Sequence, residues 1–140
     1  MSDILTPELK AWLQLSLVPG VGPSNFIRLL QDIGLPEIIL HSSTATLSRS
    51  VKPQLAQQIK QEVDIALLQQ TGEWLMQSGN GILTLADSDY PQQLLQLPDP
   101  PPLLYLKGQR QLLNQPAIAV VGSRNATEQG NQNARLFSRH

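Results

Sequence analysis

Ala117-Ile118-Ala119-Val120-Val121-Gly122-Ser123-Arg124 is the stretch on which the fold class turns. Its five small or β-branched apolar residues show no polar alternation, the pattern of a strand covered on both faces in a parallel sheet. Gly122 interrupts the run, and Thr127 onward has helix-forming composition with Ala134 and Phe137 on one face. Strand, turn and helix in that order make the opening unit of a parallel α/β sheet, where ligands lie at the carboxyl ends of the strands. Such a sheet needs further strands and crossover helices, so the sequence is expected to hold only the beginning of the domain.

The same turn is the best candidate for chemistry. Gly122 lets a ligand approach the backbone, Ser123 and Thr127 offer hydroxyls, and Arg124 carries a planar fork suited to phosphate. The amides that follow can form an anion-binding nest. Neither G-x-G-x-x-G nor G-K-[ST] occurs, which removes most support for a dinucleotide cofactor or for ATP hydrolysis, and no cofactor is expected. The plain alternative is a structural turn whose small residues permit close helix–sheet packing.

Working backward, Leu103–Leu106 and Ile82–Leu85 read as two short strands. Between them, Asp87-Ser88-Asp89-Tyr90-Pro91 is turn chemistry, residues 91–97 can form a short helix, and the prolines of 98–102 enforce extended chain. Residues 1–80 read as all-helical. Thr6-Pro7-Glu8 is a cap followed by proline at the first helical position, and Leu9, Trp12, Leu13 and Leu17 then recur at helical spacing. Val18-Pro19-Gly20-Val21-Gly22-Pro23 makes a tight turn, after which Ser24 is expected to cap a helix carrying Phe26, Ile27, Leu30 and Ile33 and closed by Gly34. Ser42-Ser43-Thr44 resembles another cap. From Pro53, the spacing of Leu55, Ile59, Val63, Ala66, Leu67 and Trp74 suggests one long helix or two nearly continuous ones. The expected architecture is α + α/β, with a helical domain over 1–80 and an incomplete α/β domain over 81–140.

Gly20 and Gly22, between two amphipathic helices, have the layout of a helix-hairpin-helix. Backbone amides at the start of the second helix could hold a phosphate as a secondary contact. Basic support is thin, with Lys10 and Arg28 the cations of the two helices, so a purely structural turn weighs more.

Composition narrows the field. With 41% hydrophobic residues, a chain of 140 can bury a core. It has no cysteine and only His41 and His140 as imidazoles, which excludes a structural zinc site, and neither a secretory leader nor a membrane span is expected. A cytoplasmic protein is expected. The net charge of −1 hides an asymmetry: five basic residues face nine acidic ones before Pro98, and five face two from Pro98 onward. An anionic partner would therefore prefer the second region. Asp87 and Asp89 are expected to make local turn hydrogen bonds rather than an acid–base pair, His41 to lie on the surface, and Trp12 and Trp74 to be core residues rather than stacking platforms.

Trp12-Leu-Gln-Leu-Ser-Leu-Val-Pro-Gly-Val-Gly22, Asp89-Tyr-Pro91, Leu94-Leu95, Asp99-Pro-Pro101, Leu104-Tyr-Leu-Lys-Gly108 and Val120-Val-Gly-Ser-Arg124 together resemble the DNA-processing protein A family, DprA/Smf, in order and spacing. That resemblance implies a helical domain of sterile-alpha-motif or helix-hairpin-helix type followed by an extended Rossmann-like domain. It implies a non-enzymatic protein that binds single-stranded DNA, helps load the RecA recombinase during natural transformation, and forms a homodimer at full length. Gly122, Ser123 and Arg124 map onto the family's DNA-binding pocket. Glu128 departs from the pattern and would repel a phosphate beside the first helical turn. The rival readings are a Rossmann-like hydrolase of nucleotide or nucleoside phosphates and a helix-hairpin-helix adaptor for duplex DNA or protein.

Overall fold

The computed structural model describes residues 5–61 and 64–139. Among them are seven α-helices and one two-stranded antiparallel sheet, a mixed α + β arrangement.

Helix α1, Pro7–Leu17, begins as its sequence requires: the Thr6 hydroxyl oxygen accepts from the Leu9 amide, with proline at the first helical position. It leads through the Gly20 turn to α2, Pro23–Asp32. Gly20 has φ +89, a conformation that an L side chain resists. Ser24 is not the cap expected of it. Pro23 occupies the first helical turn and moves the cap back to Gly22, which offers no side chain, and the Ser24 hydroxyl instead donates to Asp99 Oδ2 at 3.4 Å.

Two short helices follow, α3, Pro36–His41, and α4, Thr44–Leu47, the latter capped by Ser43 through the Thr46 amide. The helical stretch from Pro53 divides into α5, Pro53–Ile59, and α6, Ile65–Leu75. Lys60 caps the end of the first, and the Asp64 carboxylate accepts from the Ala66 amide to start the second. The restart resets the helical phase, so Leu68 and Thr71 face inward while Ala66 and Leu67 are exposed. Val63, part of the expected periodicity, lies outside the described residues, as does His140.

The main core gathers Trp12, Leu15, Phe26, Leu29, Ile39, Leu47, Leu55, Ala56 and Ile59 from α1 to α5. Trp12 stacks on Phe26 with ring centroids 5.4 Å apart, an offset aromatic contact that ties the first two helices. Strand β1, Asn80–Thr84, pairs antiparallel with β2, Leu103–Lys107, in the register Asn80↔Lys107 to Thr84↔Leu103. Backbone bonds beyond the ladder, Leu85 to Pro102 and Gly108 to Gly79, extend the pairing at both ends. The sheet rests on the helices: Ile82 packs with Leu13 and Leu68, and Leu103 touches both hydrophobic clusters.

From the connection between β1 and β2 onward the structure departs from expectation in two places. The helix expected over 91–97 contracts to a 3-10 turn, Leu94–Gln96. Ala117–Val121, read as a strand buried in a parallel sheet, is neither paired nor buried; Ile118 is 93% and Val121 89% exposed. A parallel strand is held by ladder bonds and by elements on both faces, and the described residues bring neither to this run. The helix after the turn does form: α7, Glu128–Phe137.

Candidate functional site

Gly122, Ser123, Arg124 and Thr127 lie together on the exposed connection into α7. The Ser123 hydroxyl oxygen accepts from the Asn125 amide at 3.2 Å, a small side-chain turn that bends the chain toward the helix. Thr127 is the N-cap, its hydroxyl oxygen accepting from the Gly130 amide at 3.1 Å. A Cβ on Gly130 would lie 3.2 Å from that same oxygen, so the small residue keeps the cap uncrowded. In both hydroxyls the oxygen serves the backbone while the O–H remains able to donate outward, the polarity that a phosphate oxygen needs.

Apart from its chain neighbours, nothing among the described residues lies within 4 Å of the position a Cβ on Gly122 would take, which leaves its backbone open to an approaching ligand. Arg124 is exposed and makes no ion pair among the described residues. It stands just before the amino end of α7, where helix dipole and unpaired amides favour an anion. Glu128 supplies an opposing carboxylate in the first turn of that helix.

Arg110, another cation of the second region, is committed elsewhere. Its guanidinium spans both oxygens of Asp89 and reaches Asp87 Oδ1 at 3.1 Å. The hydrogen bonds from Arg110 hold the Asp89 carboxyl below the usual carboxylate range, and the same bonds push Arg110 further up. Asp87 also makes the expected turn bonds, its Oδ2 accepting from the Thr84 amide at 2.6 Å and the Thr84 hydroxyl at 2.9 Å. The ion pair across more than twenty residues escaped the sequence reading. Opposite charges at each end of the 87–110 stretch were its only trace.

The Gly20–Gly22 turn is built differently. The Gly20 carbonyl accepts from Asn25 Nδ2 at 3.0 Å, and Gly22 has an ordinary φ of −75. Through Ser24, the Asp99 carboxylate sits at the amino end of α2, the place that a phosphate would take. No hydrogen bond or ion pair among the described residues joins this turn to the one at Gly122.

Of the other candidates, Trp12 is buried as expected, and His41 is exposed with Nδ1 at 2.6 Å from the Glu37 carbonyl. Trp74 is half-buried and meets Tyr105 edge to face. Among the described residues no cluster of three His, Asp or Glu is placed to hold a metal ion, and no helix is long and apolar enough to cross a membrane.

Residues 81–140 match the family model described as DNA recombination-mediator protein A. Over 138 residues the chain is 32% identical to Protein Smf of Synechocystis sp., an alignment that covers 94% of this chain and 34% of that protein. The chain thus spans about a third of the length of the curated relative it matches. No solved structure matches it.

Proposed function

Residues 81–140 belong to the DNA recombination-mediator protein A family, and from that premise we propose that this protein binds single-stranded DNA as a recombination mediator. In this reading 1–80 is a helical module of sterile-alpha-motif or helix-hairpin-helix type, and 81–140 opens a Rossmann-like domain. Ala117–Val121 is then a strand that requires the neighbouring strands of the complete domain. The protein works without catalysis, forms a homodimer at full length, and helps load RecA recombinase onto DNA taken up in natural transformation. It acts in the cytoplasm.

The observation that carries this reading is that the family match includes the exposed Gly122–Thr127 turn, where Arg124 has no carboxylate partner among the described residues and two hydroxyls remain able to donate. Those groups suit phosphate irrespective of base, so binding is salt-sensitive and largely sequence-independent. The Gly20–Gly22 turn is at most a subsidiary contact, because the Asp99 carboxylate competes for the same position. A hydrolase gains nothing from Asp87 and Asp89, both of which are engaged by Arg110.

The test is fluorescence anisotropy of a labelled oligo(dT) strand titrated over a salt series. Arg124→Ala is expected to weaken binding on the order of tenfold, as loss of a charged hydrogen bond does. The slope of log affinity against log salt should fall by about 0.7, the value of one single-strand phosphate contact. Unchanged affinity and slope would remove the site assignment. RecA filament assembly on single-stranded DNA, with and without the protein, tests the mediator role separately.

A further inference from the structure

The antiparallel register sets Asn80, Ile82 and Thr84 opposite Lys107, Tyr105 and Leu103, so these six residues share one face of the sheet. Helices cover the end of that face formed by Thr84 and Leu103, where Leu103 packs against both hydrophobic clusters, and reach Ile82, which is buried with Leu13 and Leu68. Directly across from Ile82, Trp74 of α6 meets Tyr105 at a centroid distance of 5.6 Å and an interplanar angle of 68°. Asn80 Nδ2 donates to the Trp74 carbonyl at 2.8 Å, fixing the end of α6 to the sheet.

Tyr105 is a partly exposed ring held in place by its strand pairing with Ile82 and by Trp74. Trp12, Phe26 and Tyr90 are buried and Phe137 is 79% exposed with no aromatic partner among the described residues, whereas Tyr105 is 54% exposed yet stands on a paired strand and is braced by a second aromatic. An edge-to-face contact uses only part of a ring's surface and leaves the rest free to stack. Lys107 follows two residues along the same face, exposed and in no ion pair among the described residues. A held ring with an ammonium one strand repeat away is the pairing by which single-stranded nucleic acid is bound without regard to sequence: ring to base, cation to phosphate.

We propose that Tyr105, braced by Trp74, and Lys107 form a second contact for single-stranded DNA, one base stacking on the Tyr105 ring and an adjoining phosphate meeting the Lys107 ammonium. The site lies on β2, outside the Gly122–Thr127 turn, and its ligand class rests on the single-stranded-DNA reading given above.

The chain has two tryptophans, and Trp12 is buried, so a change in tryptophan emission on adding unlabelled oligo(dT) reports chiefly on Trp74. Oligo(dT) is expected to change that emission and to bind Tyr105→Ala on the order of tenfold more weakly, as loss of one stacked base does. Tyr105→Phe, which keeps the ring and its packing on Trp74, should bind like the parent. Lys107→Ala should lower the salt slope by about 0.7. If Tyr105→Ala and Lys107→Ala bind like the parent while Arg124→Ala does not, the second contact is overturned and the first stands. If Arg124→Ala is silent while Tyr105→Ala is impaired, the reverse holds. An emission that depends on protein concentration and ignores DNA would assign the face to a second copy of the chain and overturn the proposal. Absence of any oligo(dT) binding by the parent protein would overturn both.

Discussion

The Tyr90 hydroxyl donates to the Pro101 carbonyl at 2.7 Å, with the tyrosine side chain almost wholly buried. This bond joins two segments that carried the sequence resemblance, Asp89-Tyr-Pro91 and Asp99-Pro-Pro101. Proline-rich chain has few donors of its own, so a buried phenol that satisfies one of its carbonyls fixes the path of the segment. Tyr90→Phe should cost about 1–2 kcal/mol, because the carbonyl loses its partner, and urea denaturation would measure the loss. Burial raises the Tyr90 phenol above its ordinary pKa, so the folded state favours the neutral form. Its contribution is present below the unfolded value and is lost as pH rises through the raised one, a high-pH decline that the Phe variant should lack.

The clasp of Arg110 on Asp89 and Asp87 predicts the opposite pH dependence. The folded Asp89 pKa is depressed, so its contribution is present above the ordinary carboxylate value and disappears as pH falls through the lower one. Paired denaturation curves for the parent and Arg110→Ala should differ at neutral pH and converge in acid. They should also converge in high salt, since the groups are substantially exposed. A difference that persists in acid would mean that Arg110 acts by packing rather than by charge.

Two glycines separate stability from binding. Gly20→Ala places a Cβ at positive φ and 3.3 Å from Leu55 Cδ1, and a loss of about 1–2 kcal/mol is expected. Gly122→Ala meets open space and should change stability by less than about 0.5 kcal/mol. If a DNA strand approaches the Gly122 backbone, that silent variant should nonetheless bind oligo(dT) more weakly. Thermal melting and anisotropy on the same two samples would decide it.

Thr127→Ala removes the cap of α7 and should destabilise that helix by about 1 kcal/mol. Hydrogen exchange of the amides in α7 should accelerate, while the buried amides of α1 and α2 keep their protection. Thr127→Ser, which retains the accepting oxygen, should restore most of the protection.

What could be read from the sequence follows the range of each interaction. Thr6 and Ser43 cap as expected, and Trp12 and Phe26 fall on the inward faces that their spacing indicated, because caps and helical phase are set within a few residues. Ser24 failed as a cap for an equally local reason: Pro23, one residue earlier, takes the first helical position. Ala117–Val121 has the composition of a doubly covered strand but is unpaired and exposed, because burial is a property of neighbours and composition alone does not bring them. The candidate turn was legible down to its hydroxyls, since Ser123 and Thr127 act on amides two and three residues away. The withdrawal of Arg110 by Asp87 and Asp89 was not, because it depends on how two distant turns meet. Tyr105 was equally hidden: strand alternation puts it on a face with Lys107, but only the docking of α6 decides which part of that face stays open.

The bond from Leu85 to Pro102 closes the neck of the excursion between the two strands, and its interior is fastened unevenly. Residues 87–92 are tied to Arg110, Asn114 and Pro101, while among the described residues Gln93–Pro98 make only local backbone bonds, and Leu95 and Leu97 are exposed. Lengthening a closed loop is thermodynamically mild, about 0.6 kcal/mol per doubling, so the penalty for altering this one is set by its ties rather than its length. Gln93–Pro98 is therefore where the chain has room to gain or lose residues, a seam for grafting, with the pairing of β1 and β2 on one side and the Arg110 clasp on the other left in place.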